Sequence, residues 1–178
     1  MAHVQGDIRG TKLGGGGAAF EAFILDELKP LIESRYPVDR DRSVLIGHSL
    51  GGLFATTVLA NHPEAFGGYL ILSPSLQFDP SLLDRVAAAA TKGAGRRVYI
   101  SVGSEEGSVA VPAAAALYAA LSKPDSKFET RYCNVQGYYH MSVTLTPASV
   151  ALPFLVPPPA SPNPAVRRIC PSATISPP

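Results

Sequence analysis

The stretch Ser43-Val44-Leu45-Ile46-Gly47-His48-Ser49-Leu50-Gly51-Gly52 decides the fold of this chain. It sets the pattern G-x-S-x-G between an apolar run that reads as a buried strand and Leu50 to Ala60, which reads as the helix behind it. A serine between two glycines at a strand-to-helix turn is held in a strained backbone conformation that lifts its hydroxyl above the sheet edge. Ser49 is therefore a candidate nucleophile. Gly47 and Gly51 are both expected to need glycine, because a β-carbon at either would crowd the turn. The competing reading of the same residues is a glycine-rich turn with no chemistry, or one that cradles phosphate.

Working outward, Phe20, Phe23, Ile24, Leu28, Leu31 and Ile32 recur at helical spacing between Ala18 and Arg35, and Pro30 predicts a kink or a helix boundary one turn earlier. Tyr69 to Ser73 reads as the next strand, and Asp79-Pro80-Ser81 opens a helix that runs to about Thr91. Arg97 to Gly103 is a third strand, Val111 to Leu121 an alanine-rich helix, and Phe128 to Val135 an alternating strand suited to a sheet edge. A last helix is expected within Ser142 to Leu155, limited by Pro147 and Pro153. Strands alternating with helices predict an α/β fold, a mainly parallel sheet with helices on both faces, whose ligands bind at the carboxyl ends of the strands. Two segments fall outside this core. Residues 1–17, with four consecutive glycines, are expected to be flexible, and residues 157–178, with eight prolines, to form a disordered tail.

With 178 residues the chain suits one domain with a real core. A net charge of +1 and only 16% charged residues leave no electrostatic footprint for nucleic acid or an anionic membrane, so a small molecule is the expected partner. No stretch reaches the roughly 18 to 20 apolar residues of a bilayer span, and Met1 to Asp7 does not read as a secretory signal, which leads to an expected cytoplasmic location. Cys133 in a strand reads as a small buried hydrophobe and Cys170 lies in the proline-rich tail. Neither builds a disulfide framework or has metal-ligand spacing, and no metal or cofactor is expected.

A serine hydroxyl needs a base whose pKa lies near the working pH, which selects histidine. His3 sits at the terminus, His62 ends the helix behind the elbow, and His48 is expected to point away from the exposed face of Ser49. His140, in Gly137-Tyr138-Tyr139-His140-Met141-Ser142, follows the last strand and is the candidate base. The imidazole in turn needs an acid to fix its tautomer, and elbow hydrolases place it between serine and histidine in the chain. That narrows the acids to Glu105 and Glu106, with Glu106 preferred, Asp79 a weaker third choice and Asp125 an ordinary loop acid. Pocket walls are expected from Ser73 to Phe78 and from Tyr138 and Tyr139, with Ser75, Leu76 and Tyr139 as candidate substrate contacts.

Gly16-Gly17-Ala18-Ala19-Phe20-Glu21-Ala22-Phe23, the run from Glu27 to Tyr36, Ile46 to Ala55, Leu72 to Leu76 and Tyr139 to Val143 together resemble the α/β-hydrolase esterases related to ferric enterobactin esterase and esterase D. The similarity runs from about Gly15 to Phe154. It implies a partial α/β-hydrolase core over residues 18–156 and hydrolysis of a carboxylic ester or siderophore-type lactone through an acyl-enzyme. It further implies a triad whose serine and histidine are Ser49 and His140, with Glu106 at the position where the family often has glutamate. In such relatives several strands precede the elbow and an early loop gives one oxyanion donor. Here about forty residues precede Ser43, which is read as an N-terminal truncation that leaves the Leu50 N–H as the visible donor. Loss of one donor costs on the order of 10²- to 10³-fold in rate. The strand at Val44 is then expected to lack a neighbour and to invite self-association through an exposed sheet edge, with the helix from Phe20 to Ile32 covering part of the exposed face. A catalytically weak or inactive remnant that acts as a binding module or is a fragment of a longer product, and acyl transfer or peptide cleavage at the same site, are the alternatives.

Overall fold

In the computed structural model, which describes residues 6–8, 11–13, 15–93, 95–144 and 146–158, the chain opens with an antiparallel ribbon of β1 (Gly6–Ile8) and β2 (Thr11–Leu13). His3 and Cys170, and all but two residues of the proline-rich tail, lie outside the described residues. Helix α1 (Gly17–Ala22) widens into a π turn (Phe23–Leu28) before α2 (Lys29–Arg35). Pro30 is the reason: it lacks an N–H, and its ring would strike the carbonyl four residues back, so the turn before it opens and Lys29 N–H reaches Ile24 O instead. The expected interruption one turn before Pro30 is this π turn.

The remaining elements alternate as the hydropathy pattern predicts. They are β3 (Val44–His48), α3 (Leu50–Asn61), β4 (Gly68–Leu72), α4 (Leu82–Ala89), β5 (Arg97–Gly103), α5 (Gly107–Leu121), β6 (Glu129–Val135) and α6 (Thr146–Leu155). The strands form one parallel sheet in the order β3-β4-β5-β6, with Val44, Gly68, Arg97 and Glu129 in register at one end. His48, Leu72, Ser101 and Cys133 are then level near the other end, so the loops that follow β3, β4, β5 and β6 converge over the same edge of the sheet. Helix α5 starts at Gly107, earlier than its alanine run, because Gly107 at φ 82° turns the chain sharply out of the short 3-10 turn of Ser104–Glu106.

Alternation along each strand divides the core. Tyr69, Ile71, Val98, Ile100 and Val102 pack with Leu53, Leu59, Leu82, Val86, Leu117 and Leu121 beneath α3, α4 and α5. Leu70, Leu72 and Tyr99 pack with Ala151, Phe154 and Leu155 of α6 on the other face. Each such fully buried aliphatic side chain stabilises the fold by about 1.5–3 kcal/mol relative to exposure. Cys133 is partly buried beside this second cluster, and burial pushes its thiol up from its ordinary value. All five residues of β4 are buried, as a central strand requires. β3 is an edge strand, and Ile46 is 54% exposed. The α1–α2 segment sends Ile24 and Leu25 to the α3 side, whereas Val44, which shares the face of Ile46, packs with the α6 cluster; Ile46 therefore stays open. No described helix is long and apolar enough to cross a membrane.

Candidate active site

The site begins at the turn after β3. Ser49 has φ 59° and ψ −118°, and with Ser73 it is one of two non-glycine residues with positive φ among those described. The turn is held by Ser49 N–H donating to Leu72 O (3.0 Å), while Ser49 O accepts from Leu53 N–H (3.0 Å) and Ser75 N–H (3.1 Å). A β-carbon on Gly47 would collide with the Gly51 carbonyl, so that glycine is required. Gly51 is a correction to the sequence reading: a β-carbon there meets nothing within 4 Å. The crowded helical glycine is Gly52, whose β-carbon would lie 3.0 Å from both Leu72 O and Pro74 Cα, because α3 crosses close over the end of β4.

Into this turn the chain brings two groups from far downstream. His140 Nε2 lies 2.8 Å from Ser49 Oγ, and His140 Nδ1 lies 2.7 Å from Glu106 Oε2. The loop that carries His140 is fixed by Glu105 N–H donating to Tyr138 O (3.0 Å), Tyr139 N–H donating to Ser142 Oγ (2.9 Å) and Ser142 N–H donating to Tyr139 O (3.0 Å). Glu106 has its side chain 1% exposed, and its second oxygen, Oε1, accepts from Gly103 N–H (2.7 Å) and Ser73 Oγ–H (2.5 Å). A carboxylate so held only accepts, so it sets Nδ1 of His140 as the protonated nitrogen and leaves Nε2 as the acceptor facing Ser49. That is the protonation pattern a general base needs.

The other candidates separate by position. Glu105 is exposed and accepts from Ser104 Oγ, away from the imidazole. Asp79 is taken up by Arg85 (2.6 Å) and Ser81 (2.7 Å). His62 ends α3, with Nε2 3.8 Å from Glu21. Ser75 Oγ is 3.3 Å from Ser49 Oγ, so it stands directly beside the nucleophile. Leu76 is 4% exposed and belongs to the main core cluster, which corrects its reading as a pocket wall: its side chain packs under the site because apolar burial draws it inward. Tyr139 is 64% exposed, and Leu50 and Met141, which follow Ser49 and His140 in the chain, are exposed as well.

Three residues have roles here that the sequence reading did not give them. Ser73 and Gly103 hold Glu106. The signal for Ser73 was its place at the end of a strand level with Ser49, but a hydroxyl donating to a carboxylate far along the chain leaves no local pattern. His48 is the third and also a correction: it does not turn away, since its Nε2 lies 2.7 Å from the backbone O of His140 and its ring centroid 4.7 Å from that of His140. Among the described residues no group of three or more His, Cys, Asp or Glu is arranged to hold a metal ion.

A parallel sheet with helices on both faces, a strained serine at a strand-to-helix elbow, and an acid and a histidine delivered by the loops after later strands define an α/β-hydrolase domain. The chain belongs to the family described as "Putative esterase", whose model matches residues 9–143. It is 46% identical over 65 residues to the ferri-bacillibactin esterase BesA of Bacillus subtilis, a stretch covering 36% of this chain and 22% of that protein. It is 40% identical over 63 residues to the siderophore triacetylfusarinine C esterase of Aspergillus fumigatus, covering 35% and 22%. Among solved structures it is similar to the BES protein of Bacillus cereus, with TM-score 0.76, 32% identity and coverage of 82% of this chain and 57% of that one. An IroE-like serine hydrolase of Shewanella oneidensis matches with TM-score 0.66, 25% identity and coverage of 87% and 53%. The chain thus spans about half the length of these solved relatives.

Proposed function

We propose that the chain is a serine ester hydrolase, with residues 18–156 as its catalytic core, that cleaves a carboxylic ester or a siderophore-type lactone through an acyl-enzyme on Ser49. Ser49 Oγ attacks the ester carbonyl carbon while His140 Nε2 takes the hydroxyl proton, and the Leu50 N–H at the start of α3 donates to the oxyanion. The alkoxide leaves with the proton from His140 as the C–O bond breaks. Water, deprotonated by His140, then attacks the acyl carbon, releasing the acid and restoring Ser49. Glu106, hydrogen-bonded to Nδ1, stabilises the imidazolium in both steps. The observation that carries this reading is the unbroken hydrogen-bonded series from Ser49 Oγ through His140 to Glu106, at 2.8 and 2.7 Å. The names of the relatives support an ester of the siderophore kind, and the exposed side chains of Leu50, Tyr139 and Met141 offer apolar and aromatic contact to a large substrate.

Turnover of a short p-nitrophenyl ester by the wild-type chain, lost to background in Ser49→Ala with an unchanged melting curve, is the expected result; unchanged turnover in Ser49→Ala excludes the mechanism. A second reading, a domain that binds without turnover, is favoured by the open edge of β3 and the exposure of Ile46. Failure of the native wild-type chain to react with a fluorophosphonate probe decides for it.

A further inference from the structure

The general base is held at two points by consecutive residues of the elbow. Ser49 Oγ meets the His140 side chain at Nε2 (2.8 Å), and His48 Nε2 meets the His140 main chain at its carbonyl oxygen (2.7 Å). Successive strand residues normally point to opposite faces. Here the positive φ of Ser49 bends the chain so that both side chains reach one residue about ninety positions away. Because a carbonyl only accepts, His48 carries its proton on Nε2 and donates it, and its ring lies against that of His140 at 4.7 Å between centroids.

The geometry points to His48 as a positioning residue that clamps the His140 loop to the elbow, so that the distance between base and nucleophile is set from the nucleophile's own strand. This rests on the hydrolase reading for its consequence in rate, but the clamp itself is a statement about the loop. The other anchors of this loop, at Tyr138, Tyr139 and Ser142, hold its flanks; among the hydrogen bonds described, the one from His48 fixes the carbonyl of His140 itself. A base displaced by about 1 Å can lose on the order of 10²-fold in rate.

Three variants isolate the bond. Gln at position 48 places an amide nitrogen close to the Nε2 of histidine and keeps the donor, Asn places it too short to reach, and Ala removes it. The first measurement, hydrogen–deuterium exchange of the peptide spanning residues 137–144, needs no turnover. Faster exchange is expected in His48→Ala and His48→Asn, with near wild-type exchange in His48→Gln. The second is the rate of Ser49 labelling by a fluorophosphonate, with kcat and KM for a p-nitrophenyl ester. His48→Ala and His48→Asn should label and turn over about 10- to 100-fold more slowly with KM little changed, and His48→Gln should come within about threefold of wild type. Unchanged exchange in His48→Ala, a kcat within twofold of wild type, or a Gln variant as impaired as the Ala variant overturns the proposal. A wild-type chain that neither labels nor turns over refutes the hydrolase reading instead, and the exchange comparison then decides the clamp alone.

Discussion

Replacing Glu106 by glutamine changes one atom at the end of a buried side chain, and the surrounding donors dictate how the site responds. Oε1 accepts from Gly103 N–H at 2.7 Å, and a backbone N–H cannot become an acceptor. The glutamine must therefore turn its carbonyl oxygen toward Gly103, since the opposite flip would set two donors against each other. Ser73, whose hydroxyl rotates, can go on donating to that oxygen. The amide NH2 is then left facing His140 Nδ1, where the carboxylate oxygen stood at 2.7 Å. To meet it, Nδ1 must become the acceptor, which moves the imidazole proton to Nε2 and points a donor at Ser49. In that tautomer His140 cannot take the serine proton. The expected loss is on the order of 10⁴-fold in kcat, or about 5.5 kcal/mol of transition-state stabilisation. Steady-state hydrolysis of a p-nitrophenyl ester at pH 8 measures it, with a thermal melt to show that the fold is kept. Glu105→Gln is the control and should stay within about twofold of wild type, because Glu105 is exposed and its side chain bonds only its neighbour Ser104 among the contacts described. A Glu106→Gln variant retaining more than a tenth of wild-type kcat, or a Glu105→Gln variant falling as far, would refute the reasoning.

Two predictions concern the frame around the site. Gly47→Ala should prevent soluble expression or cost more than about 3 kcal/mol in urea unfolding, because its β-carbon meets the rigid carbonyl of Gly51; Gly51→Ala should unfold at the same urea concentration or higher, since alanine favours a helix by about 1 kcal/mol over glycine and the space is open. Among the described residues β3 has a strand neighbour on one side alone and Ile46 is exposed, so the isolated chain should self-associate in light scattering after size-exclusion chromatography, and Ile46→Lys should shift it toward monomer; a wild-type monomer that melts sharply and reversibly contradicts this.

The alternation of apolar strand-like runs with helical segments bounded by glycine, proline and polar turns was enough to place β3 through β6 and α3 through α6, since a buried element shows its apolar run, and α4 also its helical period, in the chain. The elbow was legible for the same local reason: a strained strand-to-helix turn needs a small residue at Gly47, and the serine lies two residues later. Ser49, His140 and the pair Glu105 and Glu106 could be picked out as candidates from the sequence because each lies in the loop after a strand, and strand order puts such residues at one edge of a parallel sheet. What only the folded chain decided were contacts made by close approach rather than by period. Glu106 differs from Glu105 because Gly103 N–H and Ser73 Oγ–H converge on the first and leave the second in solvent. Gly52, not Gly51, is the glycine pressed by its neighbours, because α3 passes over Leu72 and Pro74. His48 reaches the carbonyl of His140 because one positive φ at Ser49 redirects the strand. A sequence carries the periodicity that buries surface, whereas the direction of a hydrogen bond between residues about ninety positions apart exists only once the chain has closed on itself.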